Sequence, residues 1–171
     1  MRKHFIRGMV DGSLSTLGIV IGASAAILPI ILAAALGGMM ANSISNALSA
    51  FSSERVFQFS ELRKTERSMV RKSLKGSVPE HKKRRATAKA SLADGSATIV
   101  GGLIPILPYL LVPIATAMFI STGLVIATIF VIGMYIGKLS KENILFSALK
   151  MAVFGIAVVI IAYLVQAAIV T

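Results

Sequence analysis

The chain contains no cysteine. That excludes a disulfide framework, a thiolate metal site and a cysteine nucleophile, and it leaves the redox compartment open. Acidic residues are scarce, seven Asp and Glu against eighteen Lys and Arg, for a formal net charge of +11. Charge of either sign is absent from three long runs, 13–36, 95–137 and 151–171. The two histidines, His4 and His81, fall in basic flanks that this pattern places outside the apolar runs.

What remains is mostly apolar. Hydrophobic residues make up 56% of the 171, against roughly 45–50% in an ordinary soluble domain. The uncharged runs exceed the ~20 residues with which a helix crosses a bilayer. The expected fold class is all-α, a polytopic membrane protein with five transmembrane helices. The spans are expected at about 13–36, 39–53, 92–110, 113–137 and 145–170, with a tight turn at Gly37-Gly38 between the first two. The first run, 24 residues long, is too long for the apolar core of a secretory signal and reads as a retained span.

Basic residues set the expected orientation. Three Lys and Arg precede span 1, twelve lie in 54–89 and three lie around 138–150, while the 37–38 turn, the 108–113 turn and the C-terminal end have none. Five spans put all eighteen on one side. By the positive-inside rule that side is the cytoplasm, with the N-terminus in and the C-terminus out. Beside membrane spans such charges orient the chain and attract anionic lipid head groups at the basic segment, whereas in a soluble protein they would suggest nucleic acid. Nucleic acid is therefore not an expected partner. The short loops and the lack of added targeting segments point to a prokaryotic cell membrane.

The chain divides into 1–53 with spans 1 and 2, a basic cytoplasmic segment at 54–91, and 92–171 with spans 3 to 5. Residues 54–74 lack Gly and Pro while Gly76-Ser77-Val78-Pro79 is a breaker cluster, so the segment reads as two helices, the first continuing span 2. A disordered basic linker is the competing reading. One internal repeat is visible: Val10-Asp11-Gly12-Ser13 opens span 1 and Ala93-Asp94-Gly95-Ser96 opens span 3, each after a basic stretch. Both spans enter from the same side, so the repeat is parallel. Repeats of this kind are common in transporters, with substrate sites at the repeat interface.

Two polar stripes carry the functional reading. In span 2, Met39, Asn42, Asn46, Ser49 and Ser53 share one helical face, with Ser45 and Ser52 beside them, and Met40, Ile44, Ala47, Leu48 and Phe51 occupy the other. Two amides and four hydroxyls are unfavourable against hydrocarbon, so that face should meet protein or water. It is either a path for a polar solute or hydrogen-bonded glue between helices. In span 1, Asp11, Ser15, Gly18, Gly22 and Pro29 fall on one stripe, and Gly18 and Gly22 form a small-residue seam for a second helix. Facing each other or a second subunit, the stripes would enclose a polar path with Asp11 at its cytoplasmic mouth.

An ionised carboxylate at membrane depth is a functional candidate by default. Asp followed by Gly-Ser also suits a helix N-cap. Phe5, Ile6, Met9 and Val10 favour an earlier helix start for Asp11, while Asp94 reads as a cap. Glu54 and Glu61 are seven apart on one face and could offer hard oxygen ligands to a divalent cation, or form salt bridges with nearby bases. Met39, Met40 and Met69 could offer thioether ligands or simply fill space. Pro29, Pro105, Pro108 and Pro113 interrupt or end helices, and a turn between spans 3 and 4 accounts for the last two. An enzyme is not expected. The Asp-Gly start of a CDP-alcohol phosphotransferase signature needs further aspartates on adjacent turns, and 12–53 has no acid.

Taken in order, several stretches resemble the vacuolar iron transporter family. Arg7 to Gly22, with Asp11-Gly12 followed by Ser15-Thr16 and then Val20 and Gly22, is similar to its first-span signature. Gly37 to Arg55 is similar to its second span, Gly102 to Pro108 to its third, and Gly137 to Gly155 to its loop into span 5. The resemblance implies a homodimer whose spans 1 and 2 line a path at the subunit interface. It implies export of ferrous iron or manganese from the cytosol in exchange for protons, with the metal as substrate and no tightly bound cofactor. Asp11 matches the family's first-span aspartate. In this alignment Ile44 and Leu48 stand where the family's second span carries Met and then Glu, leaving amide and hydroxyl oxygens as that span's polar groups. A non-transporting membrane scaffold, or a carrier of another solute, is the alternative.

Overall fold

The computed structural model describes residues 2–68 and 78–170. They form five α-helices: α1 Arg2–Gly22, α2 Leu28–Ser68, α3 Val78–Leu111, α4 Ile114–Ser140 and α5 Ile144–Val170. Each is long and apolar enough to cross a bilayer, which makes the chain an integral membrane protein. At 1.5 Å per residue, the 41 residues of α2 and 34 of α3 are about 60 and 50 Å long, well beyond a hydrocarbon core of about 30 Å. The helix expected to extend span 2 is therefore present. The second helix of the basic segment is continuous with span 3. Met69, Gly76 and Ser77 lie outside the described residues, and Val78 and Pro79 open α3.

The first connection differs from the expected one. It falls at 23–27, where Ala23 N–H donates to the Ile19 carbonyl at 2.9 Å and Ala26 N–H to that of Ala23 at 2.9 Å. Pro29 then sits in the first turn of α2, where the missing N–H has no intrahelical acceptor to lose. Gly37 and Gly38 lie inside α2. Glycine weakens a helix by about 1 kcal/mol relative to Ala, but opening the backbone at membrane depth strands polar groups at several kcal/mol each. Pro29 accordingly leaves the span 1 stripe, and Asp11 stands midway along α1 rather than at the mouth of a span.

The bundle is built around α1 and α3, which pack most extensively. They run parallel, as the repeat implied: Gly8 meets Asp94, Gly12 meets Thr98 and Ser13 meets Gly101. A Cβ on Gly12 would overlap the Thr98 carbonyl, and one on Gly101 would overlap that of Met9. Such backbone contact is what small residues permit where hydrocarbon supplies no hydrophobic drive between helices. The long helix α2 runs antiparallel to both. α4 and α5 form a hairpin in which Gly133 and Gly137 lie against Ala148 and Ile144. Leu17, Val20, Ile21, Ile31, Ile106, Tyr109, Val125 and Ile129 fill the core.

Proline within α3 is accommodated by side chains from its neighbours. Pro105 and Pro108 are both helical, so Pro108 precedes the 112–113 turn instead of forming it. Pro105 cannot donate to the Gly101 carbonyl four residues back. The Ser13 hydroxyl, which donates to the Met9 carbonyl at 2.8 Å, also lies 3.1 Å from that oxygen and shares its hydrogen with it; separately, Ser121 Oγ ties α4 to α3 by donating to the Pro105 carbonyl at 2.7 Å. Helix-breaking residues survive in membrane helices when neighbours satisfy the freed groups in this way.

Candidate functional site

Midway along α1 a polar cluster joins three helices. Asp11 Oδ2 accepts from Asn42 Nδ2 at 3.0 Å and from Asn46 Nδ2 at 2.5 Å. Asn42 also donates to Ser15 Oγ at 2.8 Å, and Asn46 to Thr98 Oγ1 at 3.0 Å. Ser15 and Thr98 each donate to the backbone one turn back, to Asp11 O at 2.6 Å and Asp94 O at 2.9 Å. The span 1 and span 2 stripes therefore do meet, within one chain. Asp11 is half-buried, and among the described residues no ion pair includes it. Its charge is met by two neutral amides.

The rest of the span 2 stripe divides by depth. Met39 is buried in the apolar core, with its thioether beside Gly102. Ser45, Ser49 and Ser53 are exposed on the outer surface. Ile44 and Leu48 are also exposed, 65% and 64%, so the positions aligned with the family's Met and Glu do not meet Asp11 in this chain. Gly18 and Gly22 face open space, with nothing within 4 Å of where a side chain would begin. The small-residue seam is thus unused inside the chain.

A second cluster occupies the basic end. Asp94 is fully buried inside α3, not at a helix start, and pairs with Arg7. Glu54, 7% exposed, is bound by Lys3 Nζ at 2.6 Å, His4 Nε2 at 2.8 Å and Gln58 Nε2 at 3.2 Å. His4 lies between the two acids, with Nδ1 3.9 Å from Asp94 Oδ2. His4 is expected in a basic flank outside the spans; instead α1, a candidate span, starts at Arg2 and carries the buried imidazole into the bundle. Glu61 turns to Lys83 at 3.4 Å, so Glu54 and Glu61 share a helix but no site. Among the described residues no group of three or more His, Asp or Glu is arranged to hold a metal ion.

Sequence reasoning missed Arg7, His4 and Thr98. Thr98 had a readable signal. Thr98 stands in the repeat where Ser15 does, two residues beyond the four-residue match (Asp94-Gly95-Ser96-Ala97-Thr98 against Asp11-Gly12-Ser13-Leu14-Ser15), and both hydroxyls serve the same polar cluster. Arg7 and His4 lie one and two turns before Asp11, which a helix begun at Arg2 would have placed inside the bundle.

The described residues form a five-helix bundle of candidate membrane spans with a carboxylate held by amides at mid-helix. The class of protein comes from the family assignment. A sequence profile described as the VIT family matches residues 58–167, more than half of the chain, and this chain belongs to that family. An uncharacterized protein of Methanocaldococcus jannaschii is 41% identical over 169 residues, covering 97% of this chain and 88% of the relative. The profile match runs from the second half of α2 almost to the end of α5. It includes Thr98 but neither Asp11 nor the two asparagines. Family membership points to metal transport as the general activity.

Proposed function

We propose that this protein carries a divalent transition-metal cation, ferrous iron or manganese, out of the cytosol in exchange for protons, with Asp11 as the carboxylate that draws the ion. The carrying observation is the state of Asp11: a half-buried acid at mid-helix, hydrogen-bonded to Asn42 and Asn46 and, among the described residues, paired with no cationic side chain. A hard cation needs oxygen ligands. A half-turn of either amide about its terminal torsion exchanges NH2 for C=O, so Asn42 and Asn46 can hold the empty carboxylate as donors and the ion as acceptors. Ser15 and Thr98 hydroxyls add further oxygens. A proton on Asp11 removes the negative charge and weakens the cation's hold, so proton and metal compete for one group.

The path runs along α1 and α2 at a homodimer interface. The open Gly18–Gly22 seam and the exposed Ser45, Ser49 and Ser53 favour that placement, because small residues and hydroxyls facing outward gain most from a second helix or from water between two helices. The basic ends of α1, α2 and α3 face the cytoplasm by the positive-inside rule, which puts the N-terminus in and the C-terminus out.

The test is uptake of ferrous iron and of manganese into proteoliposomes containing a metal-sensing dye, with and without a pH gradient, for wild type and Asp11→Ala. Saturable flux that depends on Asp11 and on the gradient is expected. Absence of flux for both metals from correctly inserted wild-type protein would sink the reading and leave the amide cluster as interhelical glue in a scaffold or in a carrier of another solute.

A further inference from the structure

A cavity of about 450 Å³ opens at the basic end between α1, α2 and α3. Its charged lining is Lys3, Glu54, Lys82, Arg85 and Lys89, with Phe57 as an apolar wall. Glu54 is already bound by Lys3 and His4. Among the described residues the ion pairs engage Lys3, His4, Arg7, Lys83 and Arg84, and none engages Lys82, Arg85 or Lys89. Those three lie at i, i+3 and i+7, so α3 presents them along one face. Three like charges around one cavity repel one another, and the acid that lines it is spent on other partners.

We propose that this cavity binds a phosphate-bearing anion, gripped by Lys82, Arg85 and Lys89. Its volume lies in the range of small-molecule sites, about 300–1,000 Å³. Arg85 supplies the planar fork that matches two phosphate oxygens, and the lysines supply point charges on either side. Phe57, Ala86 and Ala90 add apolar surface beside the charges, which suits the glycerol end of a phospholipid as well as it tolerates a free phosphate. The site is independent of Asp11: it lies at the helix ends, on other residues, and its ligand has the opposite charge to the cargo proposed above.

Isothermal titration calorimetry on the purified full chain in neutral detergent tests it, with dioctanoyl phosphatidylglycerol and inorganic phosphate titrated separately. The variants are Lys82→Gln/Arg85→Gln/Lys89→Gln, Arg85→Gln alone, and a control of equal charge loss on α2, Arg63→Gln/Lys64→Gln/Arg67→Gln. Saturable binding by wild type is expected, weakened at least tenfold in the triple variant and at least threefold in Arg85→Gln, with the control within twofold. Binding of the lipid alone identifies a head-group site, and binding of both identifies a phosphate site. If the triple variant does not fold, Arg85→Gln decides. No saturable binding of either probe, or equal weakening by the control, overturns the proposal.

Discussion

The two aspartates of the repeat began as equivalent letters and became different chemistry. Asp11 and Asp94 each precede Gly-Ser on parallel helices. Asp94 is wholly buried and paired with Arg7, with His4 nearby. Asp11 is half-buried and, among the described residues, its carboxylate is bound by two amides and no cation. A buried acid with its own cation is electrically spent and serves the fold. An acid held by neutral donors keeps its charge available for something that is not part of the protein. Neighbours supplied from other helices, not the motif, assign the roles.

That contrast can be broken by experiment. Asp94→Ala leaves the Arg7 guanidinium facing a buried space without its carboxylate, and loss of one partner of a buried pair costs about 3–5 kcal/mol. Because Arg7 is half exposed, the lower end, about 3 kcal/mol, is expected in detergent unfolding. A loss below about 1 kcal/mol would show that the pair is not structural. Asp11→Asn reverses the pattern. We expect flux to fall about a hundredfold, equal to about 2.7 kcal/mol of transition-state stabilisation, with unfolding stability changed by less than about 1 kcal/mol. Equal effects of the two substitutions on both readouts would erase the distinction.

Smaller effects sharpen the picture. Ser13→Ala removes the hydroxyl shared between the Met9 carbonyl and the Gly101 oxygen that Pro105 leaves without a donor, and its loss should cost about 1–3 kcal/mol in the same unfolding assay. A cost near zero would mean that another group reaches that oxygen. Ser49→Ala, on the exposed face of α2, should leave unfolding within about 0.5 kcal/mol. If α2 lines the dimer interface, its effect appears in flux or subunit association instead, measured by cross-linking in the membrane.

Much of the architecture was legible because hydrocarbon permits few solutions. Uncharged runs longer than a bilayer crossing define five helices, and the shared face of Asn42 and Asn46 with the stripe of Asp11 and Ser15 anticipated their meeting. The errors lie where a local rule competed with the membrane. Gly37-Gly38 reads as a turn by propensity, yet α2 passes through it, since an open backbone at that depth costs more than two glycines. The same shift moved the first connection to 23–27, drew His4 into the bundle and placed Asp11 at mid-helix. Asp94 read as a cap because a helix start was assumed there, whereas α3 begins at Val78.

Composition and periodicity were enough to point to an integral membrane protein of five helices, a strongly basic end and an acid, Asp11, on a polar stripe. Those follow from the price of charge and unpaired backbone in hydrocarbon, which is a property of each segment alone. Which acid is neutralised, which serine repairs a proline and which lysines are left without an acid were decided only by the tertiary structure. Each depends on polar atoms brought together from helices tens of residues apart, and a hydrogen bond forms only when donor and acceptor come within about 3 Å.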